Sequence, residues 1–196
     1  MKDCADLIEE LKRIRRVSDM LCTSHAELRD RYARKAMALD LLTLASSTWV
    51  VALAFVDPTI AVILTPFRLT PAIWLGVLSV SVFFFSLLQL KTDWKSRADA
   101  HSRTLDLYAE VKREAGYLLA SDECDEVSCR RVFSRYDLAS AVGISVPESK
   151  FLQLKKRHRL KLSLSKALDQ KPGLWIWLYK LRLAIQDNSA KDENGS

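Results

Sequence analysis

Between Leu41 and Leu90 the chain carries only two charges, Asp57 and Arg68, although charged residues make up 28% of its 196 residues. A segregation this sharp implies two solvents, because a soluble domain intersperses its charges along the surface of every element. Crossing about 30 Å of hydrocarbon takes roughly 20 apolar residues in a helix that rises about 1.5 Å per residue. Leu69 to Leu90 satisfies that length with no charge at all, with Pro71 in the first turn, where its missing N–H is harmless, and Trp74 near one interface. The first stretch is less regular. Leu41 to Val56 is uncharged, and then Asp57-Pro58 intervenes, a pair that ends or kinks helices. A full span therefore needs an earlier start, near Ala36 to Asp40, or a continuation past Pro58 to Leu64.

Basic residues near the spans set the expected orientation. Arg29, Arg31, Arg34 and Lys35 precede the first span, and Lys91, Lys95, Arg97 and Arg103 follow the second, whereas the connection holds only Arg68. Both termini are thus expected in the cytoplasm of a multi-pass inner-membrane protein. The cysteines, Cys4, Cys22, Cys124 and Cys129, lie outside the apolar block, and no secretory signal opens the chain, which fits a reducing compartment.

The flanks read as helices. Leu7, Ile14, Leu21 and Leu28 recur on one heptad register and Leu11, Ser18, His25 and Tyr32 on the other. After the second span, Trp94, Ala98, His101, Leu105, Tyr108, Ala115 and Leu119 share one face, and no Gly or Pro interrupts Leu90 to Ala115. The spacing predicts that the second span continues straight into the cytoplasm and packs antiparallel on the first helix. His25 and Tyr32 are echoed at identical spacing by His101 and Tyr108. Two turns apart on one face, these pairs suit interhelical contacts that set register; a metal or proton-sensing role is the sharper alternative.

The expected fold class is an all-α membrane protein: an N-terminal cytoplasmic amphipathic helix (1–37), a transmembrane hairpin (38–90, spans about 38–64 and 69–90) and a cytoplasmic helix continuing the second span (91–120). A C-terminal helical region with amphipathic helices (121–186) and a disordered tail (187–196) follow. Within that region the spacing predicts a helix over 128–141, then a capping box at Ser145 and Glu148 opening a helix from Val146 to about Leu168. The latter helix contains Lys155, Lys156, Arg157 and Arg159. They are candidate contacts for anionic lipid or a phosphate-bearing ligand, or else a solvated face. A segment dense in Trp and Tyr, from Leu174, either lies at the interface or packs on the hairpin base.

Chemistry is limited by what is missing. No phosphate-cradling loop, nucleophile elbow, paired metal-ligand motif or base-reading pattern occurs, and five glycines leave little room for one, so neither an enzyme, a cofactor, a metal nor a nucleic-acid partner is expected. A single hairpin passes solute only by surrounding a pore with several copies. Ser47, Thr48, Gly76, Ser79, Ser86 and Gln89 form a candidate face for helix packing or pore lining, and Asp40 and Asp93 a candidate pore mouth. The two acids can equally pair with Arg34, Lys35 or Arg97.

The layout resembles the SLATT family, the two-transmembrane proteins that accompany SMODS and SLOG components. The likeness is carried by the basic entry helix Arg29 to Lys35, by Asp93-Trp94 with Ala100-His101 and Tyr108, and by the Phe151 to His158 helix with Ser165. The resemblance implies an oligomeric pore-forming or membrane-disrupting effector of a bacterial antiphage or conflict system. It also implies a separate trigger from the same operon: a nucleotide-messenger synthetase, a reverse transcriptase or a sensor protein. The alternative is a membrane-anchored helical scaffold that recruits a cytoplasmic partner.

Overall fold

A computed structural model of the chain describes residues 4–121, 125–173 and 175–182. Cys124, the end of the Trp-rich segment and the expected tail lie outside the described residues. No strand occurs among those that are described, and the structure divides into two units, 1–145 and 146–196.

The first unit is dominated by α1, an unbroken helix of 52 residues from Cys4 to Phe55. It ends where the sequence predicts a break. Asp57 accepts the Thr59 backbone N–H at 2.9 Å and the Thr59 hydroxyl, capping a separate short helix, α2 (Pro58–Leu64), with Pro58 at its first position. The expected first span of 38–64 is thus two pieces. Ala61 of α2 packs with Leu53 and Leu78, beside Val50, Trp74 and Leu75. A turn through Phe67, held at a φ of 60°, leads to α3 (Pro71–Thr92). Both helices are long and apolar enough to cross a membrane, and only 6% of the apolar window of each is buried. A soluble protein's core helix would be covered.

The second long helix does not continue straight. Asp93 adopts left-handed φ and ψ of 43° and 46°, separating α3 from α4 (Trp94–Ala120). The sequence gives little warning of this, because Asp is among the few non-glycine residues that tolerate that region as a single residue. The backbone stays satisfied: the Asp93 N–H donates to the Gln89 carbonyl at 3.2 Å, and the Arg97 N–H to the Asp93 carbonyl at 3.1 Å.

Helix α1 runs antiparallel to α3 and then α4, with Trp49 edge-on to Trp74 at 5.7 Å in the apolar part and Asp19 paired with Lys112 at 2.5 Å in the polar part. The heptad stripe becomes the core of that polar part. Leu7, Leu11 and Ile14 of α1 meet Tyr108, Val111 and Ala115 of α4, and α5 (Glu126–Val142) closes the cluster with Cys129, Val132 and Ala139. Fully burying a Leu or Ile side chain contributes about 1.5–3 kcal/mol, so this stripe holds the three helices together. Asp125 caps α5 by accepting from the Ser128 hydroxyl and from the Val127 and Ser128 N–H groups; these bonds hold its carboxyl below the ordinary range. At its other end Gly143 lies so close to Thr104 and the Ala139 carbonyl that an added Cβ would come within 2.5 Å of the latter.

In the second unit, α6 spans Glu148–Gln170, two residues later than expected. Pro147 disfavours helical backbone at Val146, so the helix starts after the proline and the Ser145 capping box is not used. Residues 176–182 are helical again, with Trp175, Trp177 and Leu178 exposed.

Candidate functional site

The repeated His and Tyr pairs meet at the centre of the polar half. His25 and His101 face each other Nδ1 to Nδ1 at 3.0 Å, and each ring is stacked by the tyrosine of the other repeat: Tyr108 against His25 at 5.9 Å, Tyr32 against His101 at 5.6 Å. In this register the identical spacing on two antiparallel helices sets each tyrosine against the histidine of the other repeat, because a pair two turns long meets its copy reversed. His25, His101 and Tyr108 are buried, His25 to 1% exposure, and Tyr32 is half-buried. One turn away the Cys22 thiol reaches the Leu105 carbonyl at 3.8 Å.

The nitrogen geometry restricts protonation. A hydrogen bond between two Nδ1 atoms requires one to carry hydrogen and the other to offer its lone pair, so two fully protonated rings would set N–H against N–H. Burial, reinforced by the facing His101, pushes His25 down to about 4 from an ordinary 6.5. Two imidazoles fall short of the three or four protein ligands of a zinc site, and no group of three or more His, Cys, Asp or Glu converges among the described residues. The arrangement can sense protons and can fix the register of α1 against α4.

A second cluster lies where the apolar helices become polar. Asp40 accepts from the Gln89 side-chain amide at 2.6 Å through one oxygen and from the Lys95 ammonium at 2.7 Å through the other. Lys35 stands over the Trp94 ring at 5.5 Å. Asp40, Gln89, Trp94 and Lys95 line, with Ala36, Leu39, Thr92 and Asp93, a small cavity of about 80 Å³ at the bend between α3 and α4. Of the two acids expected at a pore mouth, Asp40 is engaged by Lys95, a partner outside the set anticipated for it, and Asp93 is exposed at the helix break.

The small and hydroxylated residues of the apolar helices divide. Ser47 and Gln89 are half-buried, whereas Thr48, Gly76, Ser79 and Ser86 are exposed. The hydroxyls of Ser47, Thr48, Ser79 and Ser86 each donate to the carbonyl four residues back, at 2.7–2.9 Å, so they add little polarity to the surface. Nothing lies within 4 Å of where a Cβ on Gly76 would sit. On α6, Lys155, Lys156 and Arg159 fall within about 100° of one another and Arg157 lies off that side, with His158 buried.

Sequence reasoning overlooked a different basic group, Lys12, Arg15 and Arg16 of α1 with Lys112 of α4, which share an open cleft with Asp19. Its signal was the spacing of three and four residues in α1, masked by equally frequent acids nearby. Comparison with models of known families, with curated proteins and with solved structures finds no match for the chain.

Proposed function

We propose that this chain is an oligomeric pore-forming or membrane-disrupting effector of the SLATT type, acting in a bacterial antiphage or conflict system and released by a nucleotide signal or a sensor partner. The observation that carries the reading is the bareness of the apolar helices: 6% of either window is buried within the chain, and Thr48, Gly76, Ser79 and Ser86 are exposed. An anchor needs only one greasy helix. Two, with a small-residue face left open, suit close approach of further copies, since small residues let helix backbones meet in lipid. In this reading α1 and α3 form an inner-membrane hairpin with both termini cytoplasmic, the orientation favoured by the basic residues at Arg29 to Lys35 and Lys91 to Arg103. The His and Tyr clamp and the Asp40, Gln89 and Lys95 cluster tie the two helices below the span, and the Asp93 bend is the joint at which α3 can move while α4 stays packed.

The test is expression in bacteria with a membrane-potential dye, comparing wild type with Gly76→Leu, which crowds the open face. Depolarisation by the wild type and its loss in an inserted, equally abundant Gly76→Leu protein are expected. Unchanged potential with and without the companion gene products would overturn the proposal. Function that survives replacement of the hairpin by an unrelated one would favour a scaffold instead.

A further inference from the structure

We propose that the cleft between the N-terminal end of α1 and the C-terminal half of α4 binds a soluble small molecule carrying two or more phosphate charges. Lys12, Arg15 and Arg16 line it from α1 and Lys112 from α4. The acid in the same cleft, Asp19, is held by Lys112 at 2.5 Å, so among the described residues four cations face one carboxylate. Lys12 and Arg15 make no ion pair among the described residues, and the only bond of the Arg16 guanidinium there is a 3.3 Å contact to the Lys12 carbonyl. Such a surplus favours a multiply charged anion over a monoanion, and guanidinium groups suit phosphate because their planar donors engage two oxygens at once.

The shape agrees with the charge. Gly116 of α4 stands opposite Arg15, whose Nε would be 3.7 Å from a Cβ at that position. A Cβ there would make ordinary van der Waals contact with the guanidinium, so the Arg15 head group packs beside α4 at this position. The cleft has a volume of about 640 Å³, within the size of small-molecule sites. Among the described residues its lining contains no aromatic ring, so recognition rests on phosphate groups and not on stacking of a base.

Position separates a soluble anion from a lipid headgroup. Helix α1 is unbroken from the cleft to the apolar block, and at about 1.5 Å per residue roughly 33 Å of axis separates Arg16 from Ala38. Headgroups extend only about 6 Å beyond the hydrocarbon, and charge is screened over about 8 Å at physiological salt. As the trigger of an effector the site rests on the function proposed above, since a ligand joining α1 to α4 would act on the membrane through the continuous α1. Binding itself is measurable without any conductance, so failure of one idea is distinguishable from failure of the other.

The experiment is calorimetric titration of sodium tripolyphosphate into the full chain in nanodiscs of pure phosphatidylcholine. Saturable binding is expected, weakened at least tenfold in Arg15→Gln/Arg16→Gln and weakening as salt rises. Gly116→Leu, whose added side chain crowds the Arg15 guanidinium without removing charge, is expected to weaken binding severalfold while helicity is unchanged. No binding, or equal binding by wild type and Arg15→Gln/Arg16→Gln, would overturn the proposal. So would loss of binding in Lys155→Gln/Lys156→Gln alone, which would move the site to α6. Retention of anionic phosphatidylglycerol by the wild type, lost in Arg15→Gln/Arg16→Gln while tripolyphosphate binding persists, would assign the cleft to lipid.

Discussion

Acid should loosen the α1 and α4 pair through His25. Unfolded, this histidine takes up a proton at about its ordinary 6.5; folded, it resists until about 4. The unfolded chain therefore binds more protons below the upper value, and stability falls as pH drops. The loss begins near 6.5, is complete near 4 and is flat beyond. One unit of displacement corresponds to about 1.36 kcal/mol, so the interval is about 3 kcal/mol. For a chain of this size that lowers the melting temperature by roughly 6–12 °C. Carboxylates also titrate on acidification, so the histidine part is isolated by difference. His25→Phe/His101→Phe replaces both partners by apolar rings of similar shape, which is close to neutral at pH 7.5, whereas either single change strands a buried nitrogen at about 1–3 kcal/mol. Melting curves in detergent from pH 7.5 to 4.5, which cover most of that interval, should show the wild type losing about 2.5 kcal/mol more than the double variant. Parallel pH profiles for the two proteins would refute the reasoning.

At the bend, Asp93→Gly should leave stability unchanged or raised, whereas Asp93→Val should lower it by about 1–2 kcal/mol, because a β-branched residue is disfavoured at a φ of 43°; thermal melts of the two variants check the sign. At the end of α5, Gly143→Ala should destabilise by about 1–3 kcal/mol, since its methyl would meet the Ala139 carbonyl and the Thr104 methyl at 2.5 and 2.8 Å. Hydrogen exchange of the Ile144 amide, which donates to the Thr104 hydroxyl at 3.1 Å, should speed up in that variant.

Much of the helical layout was legible because periodicity and charge are local properties. The uncharged block, the Asp57-Pro58 break and the heptad stripe from Leu7 to Leu28 each depend on residues a few positions apart, and each appears in the structure within a turn of where it was read. The face of α4 was read less completely: Thr104 and Val111 are buried while Leu105 is only half-buried, since the third helix, α5, widens the buried stripe beyond one heptad seam. The capping box at Ser145 failed because Pro147 overrode it.

The sequence by itself determined which residues of the first unit can sit in water and which cannot, and it announced His25, Tyr32, His101 and Tyr108 as a repeated pattern. It could not say that the two tyrosines would trade histidines, nor that Asp40 would be held by both Gln89 and Lys95, because both facts depend on the register of two antiparallel helices. The bend at Asp93 and the cleft at Arg15 belong to that same class. A left-handed residue is one of several conformations open to Asp, and four cations spread from Lys12 to Lys112 become a site only when packing sets α1 beside α4.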